Sequence, residues 1–400
     1  MTDRLYYADP YLREFDATIR RIESRGGRTS VTLDRTAFYP TSGGQPFDTG
    51  SLGPFRVVDV VDEDDGTISH VLEAASAEPA APSPGAVVHG AIDWPRRFDH
   101  MQQHTGQHVL SAAFERLFKI RTVSFHLGAD VSTIDLGREA SPAEIAAAEQ
   151  EANRVVWDNR PVTIRFASAE EAAALPLRKE PARGGTLRLI DVAEFDLSAC
   201  GGTHVSRTGA IGVIAVSRWE RFRGGQRLEF VCGGRALRAF RVLRDAVTAS
   251  VRLLSVLPEE VPAAVERLQL DMKEQKRTHS AQQLELARYR ADEIAAAAEP
   301  IAGRQLVVRV VDADATALKA MATAIASRPG FVVALFSSSS PTLAVIARSD
   351  GLTVSAQAVL SALVAKFGGR GGGRPELAQG GGLVGAPEDI MSAVRDVVAT

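Results

Sequence analysis

Two short polar motifs about a hundred residues apart constrain this chain more than any other feature: His104-Thr105-Gly106-Gln107-His108 and Cys200-Gly201-Gly202-Thr203-His204. On a helix, residues four apart share a face, so His104 and His108 can point at one ion. The two glycines let Cys200 and His204 curl onto the same centre. Three imidazoles and a thiolate suit zinc best, one ion per chain, and the fold must then bring both motifs to one point. In zinc proteases of the HExxH kind a glutamate follows the first histidine as general base. Thr105 stands there instead, so peptide hydrolysis by that route is not expected. A purely structural zinc is the alternative, because four protein ligands leave no open position for water.

With 400 residues at 45% hydrophobic, the chain can fill two or three packed domains. A formal net charge of -3 excludes polyanion binding by bulk charge, so any nucleic-acid contact must be local. Cys200 and Cys232 are the only thiols, and Met1-Thr2-Asp3-Arg4 does not open a charged-then-apolar leader. No disulfide framework, signal peptide or membrane-spanning run is expected, and the setting reads as reducing and cytoplasmic.

The fold class expected is α+β in four parts. Residues 1–94 read as a β-rich module, with strands Asp16 to Ser24 and Arg28 to Leu33 around Gly26-Gly27, and Phe55 to Asp62 and Ile68 to Glu73 around Asp65-Gly66. An Ala/Pro/Ser loop from Ala74 to Gly85 and a strand from Ala86 to Ile92 follow. Residues 95–234 read as an α/β zinc-binding core. Its first helix starts at Pro95 and carries Leu110, Phe114, Leu117 and Phe118 at helical spacing; its second runs from Ser141 through Val156. Strands are expected at Val162 to Phe166, Leu187 to Val192, Gly209 to Val216 and Arg227 to Val231. Residues 235–300 carry two apolar stripes, Phe240 to Leu257 and Val261 to Tyr289, which predict a long helical hairpin, an arm with polar residues in mid-course. Residues 301–400 alternate strand and helix signals, predicting a separate α/β domain. It contains Gly368-Gly369-Arg370-Gly371-Gly372-Gly373-Arg374 and Gly380-Gly381-Gly382, read as a loop whose N–H groups wrap a phosphate while Arg370 and Arg374 add charge. A flexible linker is the alternative, but the helix expected over Glu388 to Val398 must pack on something.

With these motifs in view, the chain resembles the alanyl-tRNA editing proteins, or AlaX family, freestanding relatives of the editing half of alanyl-tRNA synthetase. The likeness covers nearly the whole chain. It rests on Asp34 to Pro46 (DRTAFYPTSGGQP), the HxxxH turn, Cys200 to His204, Arg223 to Phe230 (RGGQRLEF) and the final Gly-rich segment. It implies the long form of the editing protein, with the β-rich module, an editing core, the arm and the C-terminal domain. Since the chain opens on the β-rich module, aminoacylation is not expected.

The implied reaction is hydrolysis of the ester of mischarged tRNA(Ala), chiefly seryl and secondarily glycyl. Serine differs from alanine by a hydroxyl that an apolar synthetase pocket rejects poorly. By position in the family's pattern, Thr36 is the candidate partner for that hydroxyl. Gln45, in a glycine-lined turn, would reach the ester or ribose, or else bond its own backbone. His126 is a further candidate for substrate, with a structural histidine as the alternative; His100, one turn before His104, could compete for the metal; Cys232 reads as a buried hydrophobe. Val205 to Arg252 holds ten arginines against three acids, and Arg218, Arg221 and Arg223 are read as loop contacts to tRNA, with Arg370 and Arg374 as a remote contact. A homodimer through the arm or the C-terminal domain is allowed. The competing readings are a zinc-stabilised tRNA-binding protein without hydrolysis, and editing of another mischarged tRNA.

Overall fold

The structure, a computed structural model, describes residues 1–25, 27–74, 82–178 and 186–400. It divides into two compact units, Met1–Ala249 and Ser250–Thr400.

In the first unit, strands β1 (Glu14–Arg25), β2 (Arg28–Leu33), β3 (Gly50–Leu52), β4 (Phe55–Asp62), β5 (Ile68–Ala74) and β6 (Val87–Ile92) close into a barrel in the order β1-β2-β5-β4-β3-β6. Apolar residues fill its interior, among them Ile68 and Leu72, and Val57 and Val60, which a bulge between Val57 and Asp59 brings to the same face. The strands expected from sequence are present. Closure depends on the three-residue β3, too short to show a period of two, which pairs with both β4 and β6. The Asp65-Gly66 turn is tied by Asp65 Oδ1, which accepts from Thr67 N at 2.9 Å. Gly26 and most of the Ala74 to Gly85 loop lie outside the described residues.

Helix α1 (Trp94–Phe118) begins at an Asp93 cap that accepts from Arg96 N, with Pro95 in its first turn. Helix α2 (Pro142–Trp157) starts with a reciprocal capping box between Ser141 and Glu144. Around them lie β7 (Thr122–Leu127), β8 (Ser132–Leu136), β9 (Val162–Ala167), β10 (Leu187–Val192), β11 (Asp196–Ala199), β12 (Ile214–Phe222) and β13 (Gly225–Cys232), forming the antiparallel sheets β12-β13-β8-β7 and β9-β10-β11. Val109, Leu110 and Phe114 of α1 share one core with Ile145, Ala148 and Ala152 of α2. One strand expectation is corrected: Thr208–Ile211 is a 3-10 turn, and β12 begins at Ile214 and extends to Phe222. Arg218 and Arg221 therefore lie on a strand, not in a loop, while Arg223 occupies the β12–β13 turn at φ 48°. The aromatic residues Trp219 and Phe222 suit that strand.

Helix α3 (Gly233–Leu254) carries the first apolar stripe, with Phe240 and Leu243 exposed on it. Helix α4 (Val261–Ala296) carries the second. In the second unit, Ala287, Ala291 and Ala295 of α4 pack with Leu318 and Met321. That unit further comprises β14 (Glu299–Ile301), β15 (Arg304–Val311), α5 (Ala315–Ala326), β16 (Phe331–Ser337), β17 (Thr342–Arg348), α6 (Ala356–Phe367), β18 (Arg370–Gly373), β19 (Leu377–Leu383) and α7 (Pro387–Ala399). The sheet order is β14-β15-β16-β17-β19-β18. The expected glycine-rich loop is a hairpin: Arg370 pairs with Gly381 and Gly373 with Ala378, so the ladder uses N–H groups that a phosphate loop would offer. Glycine is needed for the close approach, since a Cβ on Gly371 would lie 2.6 Å from Gly380 Cα. Among the described residues no helix is long and apolar enough to cross a membrane.

Candidate metal centre

The two motifs meet. The ligand atoms of His104, His108, Cys200 and His204 all lie within 4.8 Å of one another, the two α1 histidines from one helix face and the other pair from the loop after β11. Cys200 Sγ is 3.4 Å from His104 Nε2 and 3.3 Å from His204 Nε2. Tetrahedral zinc, with Zn–N of about 2.0–2.1 Å and Zn–S of about 2.3 Å, sets neighbouring ligand atoms about 3.3–3.7 Å apart, so the residues fit that ion.

Hydrogen bonds on the far side of each ring fix which nitrogen faces the centre. Gln45 Oε1 accepts from Thr203 N at 3.0 Å, which orients the amide, and lies 2.8 Å from His104 Nδ1. His104 Nδ1 must therefore donate, leaving an Nε2 lone pair toward the sulfur. Thr105 Oγ1 donates to Met101 O at 2.8 Å and accepts from Val205 N at 3.1 Å, so at 3.2 Å it accepts from His204 Nδ1 as well. His108 Nδ1 donates to Asp196 Oδ2 at 3.0 Å, and Arg178 holds Asp196 from the other side. Gly202 is required where the loop passes the ring, because a Cβ there would meet His104 Cε1 at 2.1 Å.

The electrostatics follow from this packing. Burial works to raise the Cys200 thiol, but the surrounding imidazoles of His104, His204 and His108 outweigh it and hold the thiol well below its usual value. Burial, with His104 beside it, pushes His204 down to about 3. Burial opposes charging of His108 too, yet its bond to Asp196 raises it. Asp196, despite burial, is held at about 2 by His108 and Arg178. A thiolate and imidazole lone pairs converging in a buried site form a receptor for a cation.

A cavity of about 490 Å³ adjoins the cluster, lined by His104, His108 and Cys200 together with Tyr39, Gln107 and Phe125. Its size suits a small organic group.

Two family models match parts of this chain. The model of the threonyl and alanyl tRNA synthetase second additional domain matches residues 187–229, which include Cys200 and His204, and that of the DHHA1 domain matches 303–400. The alanyl-tRNA editing protein AlaX-L of Pyrococcus horikoshii is 30% identical over 99% of this chain and 98% of its own length. This chain belongs to the alanyl-tRNA editing family. Alanine–tRNA ligases are also similar: that of Pyrococcus furiosus is 32% identical over 95% of this chain, and that of Natronomonas pharaonis 35% identical over 99%. The chain spans 42% and 44% of the lengths of those ligases.

Within this alanyl-tRNA editing chain, the structure gives several sequence-singled residues different surroundings from those expected. Thr36 is buried beside the barrel interior, its hydroxyl 2.8 Å from His70 Nε2 and accepting from Phe38 N at 3.1 Å, and it does not line the cavity. Burial pushes His70 down to about 4, so the pair is neutral. Gln45 is wholly buried and committed to His104 and Thr203, to which its Nε2 donates at 2.8 Å; it neither reaches out to an ester nor bonds its own backbone through its side chain. His126 is exposed on β7, because the alternation of the strand turns its neighbour Phe125 toward His104 instead, at 5.5 Å between ring centroids. His100 is buried apart from the ligand group, and burial holds it at about 4. Cys232 is buried, and burial raises its thiol.

Asp196, Thr105 and Phe125 were not legible as site residues. The only signal was adjacency, since Thr105 lies within the HxxxH turn and Phe125 beside His126. Asp196 offered none, because its contact to His108 spans 88 residues.

Proposed function

We propose that this chain hydrolyses the aminoacyl ester of mischarged tRNA(Ala), chiefly seryl and secondarily glycyl, at a zinc ion held by His104, His108, Cys200 and His204. The observation that carries the reading is the convergence of those four ligand atoms beside a cavity that His104, His108 and Cys200 line, in a member of the alanyl-tRNA editing family. Zinc there would supply a Lewis acid for the ester carbonyl, a water or the substrate amine. The chain's own residues do the rest: Gln45, Thr105 and Asp196 keep each imidazole proton on Nδ1, and Tyr39 and Phe125 wall the cavity. Arg218, Arg221 and Arg223 on the β12–β13 hairpin would meet the tRNA backbone, with Arg370 and Arg374 as a second contact, and a second copy could join through the helices or the C-terminal domain.

The test is deacylation of seryl-tRNA(Ala) beside alanyl-tRNA(Ala), with wild type and His104→Ala. The expected result is loss of the seryl ester with the alanyl ester spared, and a fall of about 100-fold or more in His104→Ala together with its zinc. Bound tRNA with no hydrolysis by wild type would replace the enzyme by a zinc-stabilised tRNA-binding protein.

A further inference from the structure

Five buried side-chain atoms lack a hydrogen-bond partner among the described residues: Tyr6 OH, His100 Nδ1, Gln107 Oε1, Ser132 Oγ and one nitrogen of Arg188. Of these residues only Gln107 lines the cavity at the metal centre. Four other hydroxyls on that wall already donate within the protein. Ser124 Oγ donates to Asp135 at 2.5 Å, Ser198 Oγ to Asp196 at 3.1 Å, Thr122 Oγ1 to Ser111 at 2.7 Å and Tyr39 OH to Ser42 O at 3.1 Å.

Gln107 is 3% exposed and held in place at one end, where Nε2 donates to Ser111 Oγ at 2.9 Å. Either orientation of the amide leaves one polar end unpaired, because a single end reaches Ser111. Gln107 follows His104 by three and precedes His108 by one on α1, so it shares a helical face with His104. A buried amide oxygen without a partner costs the folded protein free energy, which a ligand hydroxyl returns and a ligand methyl does not.

Resting on the reading above, we propose that Gln107 selects the aminoacyl side chain by hydrogen-bonding a hydroxyl on its β-carbon, and so favours serine over glycine and alanine. A hydroxyl can donate or accept and matches either end of the amide. The geometry gives this role to Gln107 in place of Thr36, whose hydroxyl is already engaged by His70.

The test is kcat/KM for seryl- and glycyl-tRNA(Ala), with zinc content, in wild type and in Gln107→Met, which keeps length and removes both polar atoms. Seryl hydrolysis is expected to fall about tenfold to hundredfold, with glycyl hydrolysis within about twofold of wild type and zinc unchanged. Equal losses for the two esters would mean that Gln107 serves the ammonium group or the helix, and unchanged rates would mean that it touches neither; each outcome overturns the proposal. If wild type cleaves neither ester, the hydrolase reading falls. Calorimetry with seryl- and glycyl-amide analogues of adenosine then decides Gln107 separately: tighter seryl binding that Gln107→Met abolishes supports it, and equal binding refutes it.

Discussion

Two polar clusters lie buried in the first unit, and they differ in their balance of donors and acceptors. Arg97, wholly buried, gives its guanidinium to both Asp48 oxygens, to Pro10 O at 2.9 Å and to Ala37 O at 2.5 Å, while Asp48 Oδ2 also accepts from Tyr39 N at 2.6 Å. Every strong group there meets its opposite inside the protein. At the metal centre three Nε2 lone pairs and one thiolate face each other, and the protons that could have neutralised them are directed outward to Gln45, Thr105 and Asp196. The first cluster is complete and holds the barrel loops against α1; the second leaves acceptors facing one another in an arrangement that could hold a cation. Burial alone does not separate structure from function, but the sign of what is left over does.

Breaking the closed cluster is expected to have the largest effect. Arg97→Leu leaves the Asp48 carboxylate buried without its cation and should lower stability by about 3–5 kcal/mol, read as a drop in the thermal or urea midpoint. Converting both residues to leucine should recover much of that loss, because no unpaired charge remains. A single variant as stable as wild type would show that Asp48 finds another partner or a proton.

The open cluster should respond more mildly to a change outside the ligands. Asp196→Asn removes the charge that favours His108 with its proton on Nδ1, and is expected to weaken zinc binding by about 10–100-fold in chelator competition, with the fold retained. Unaltered affinity would assign Asp196 to Arg178 alone and would blur the distinction between the clusters.

Much of this contrast was legible in advance and part was not. The four ligands stand in two motifs whose internal spacing forces each pair onto one side, and α1 and α2 announce themselves through Pro95, the Ser141–Glu144 box and the stripe from Leu110 to Phe114. Local periodicity carries such information. What the orienting groups do is settled by contacts between distant parts of the chain. Gln45 and His104 each stand out in sequence, but their bond spans 59 residues, and that of Arg97 to Asp48 spans 49, so local spacing shows neither pairing. The glycine-rich tail misled for a related reason: glycine permits both a phosphate-wrapping loop and closely approaching strands, and the partner strand Leu377–Leu383 decides between them.

The smallest expected effects lie on the surface, where the two arginine-bearing hairpins can be set against each other. On the β12–β13 hairpin, Arg221 Nε lies 3.0 Å from Glu139, Arg218 3.7 Å from Glu220, and the Arg223 guanidinium sits 5.0 Å over the Phe222 ring. These pairs are exposed, so they contribute little to stability and can be exchanged for phosphates at little cost. Arg370 and Arg374 are also exposed, on a glycine-rich hairpin at a sheet edge. Replacing Arg218, Arg221 and Arg223 together with alanine should weaken tRNA binding several-fold at low salt and flatten the slope of log K against log salt by about 2. Arg370→Ala with Arg374→Ala should flatten it by about 1, because each hairpin loses only the phosphates it reaches. An unchanged slope for the triple variant would remove the first hairpin from the RNA path, and a larger change for the C-terminal pair would make the glycine-rich hairpin the principal anchor.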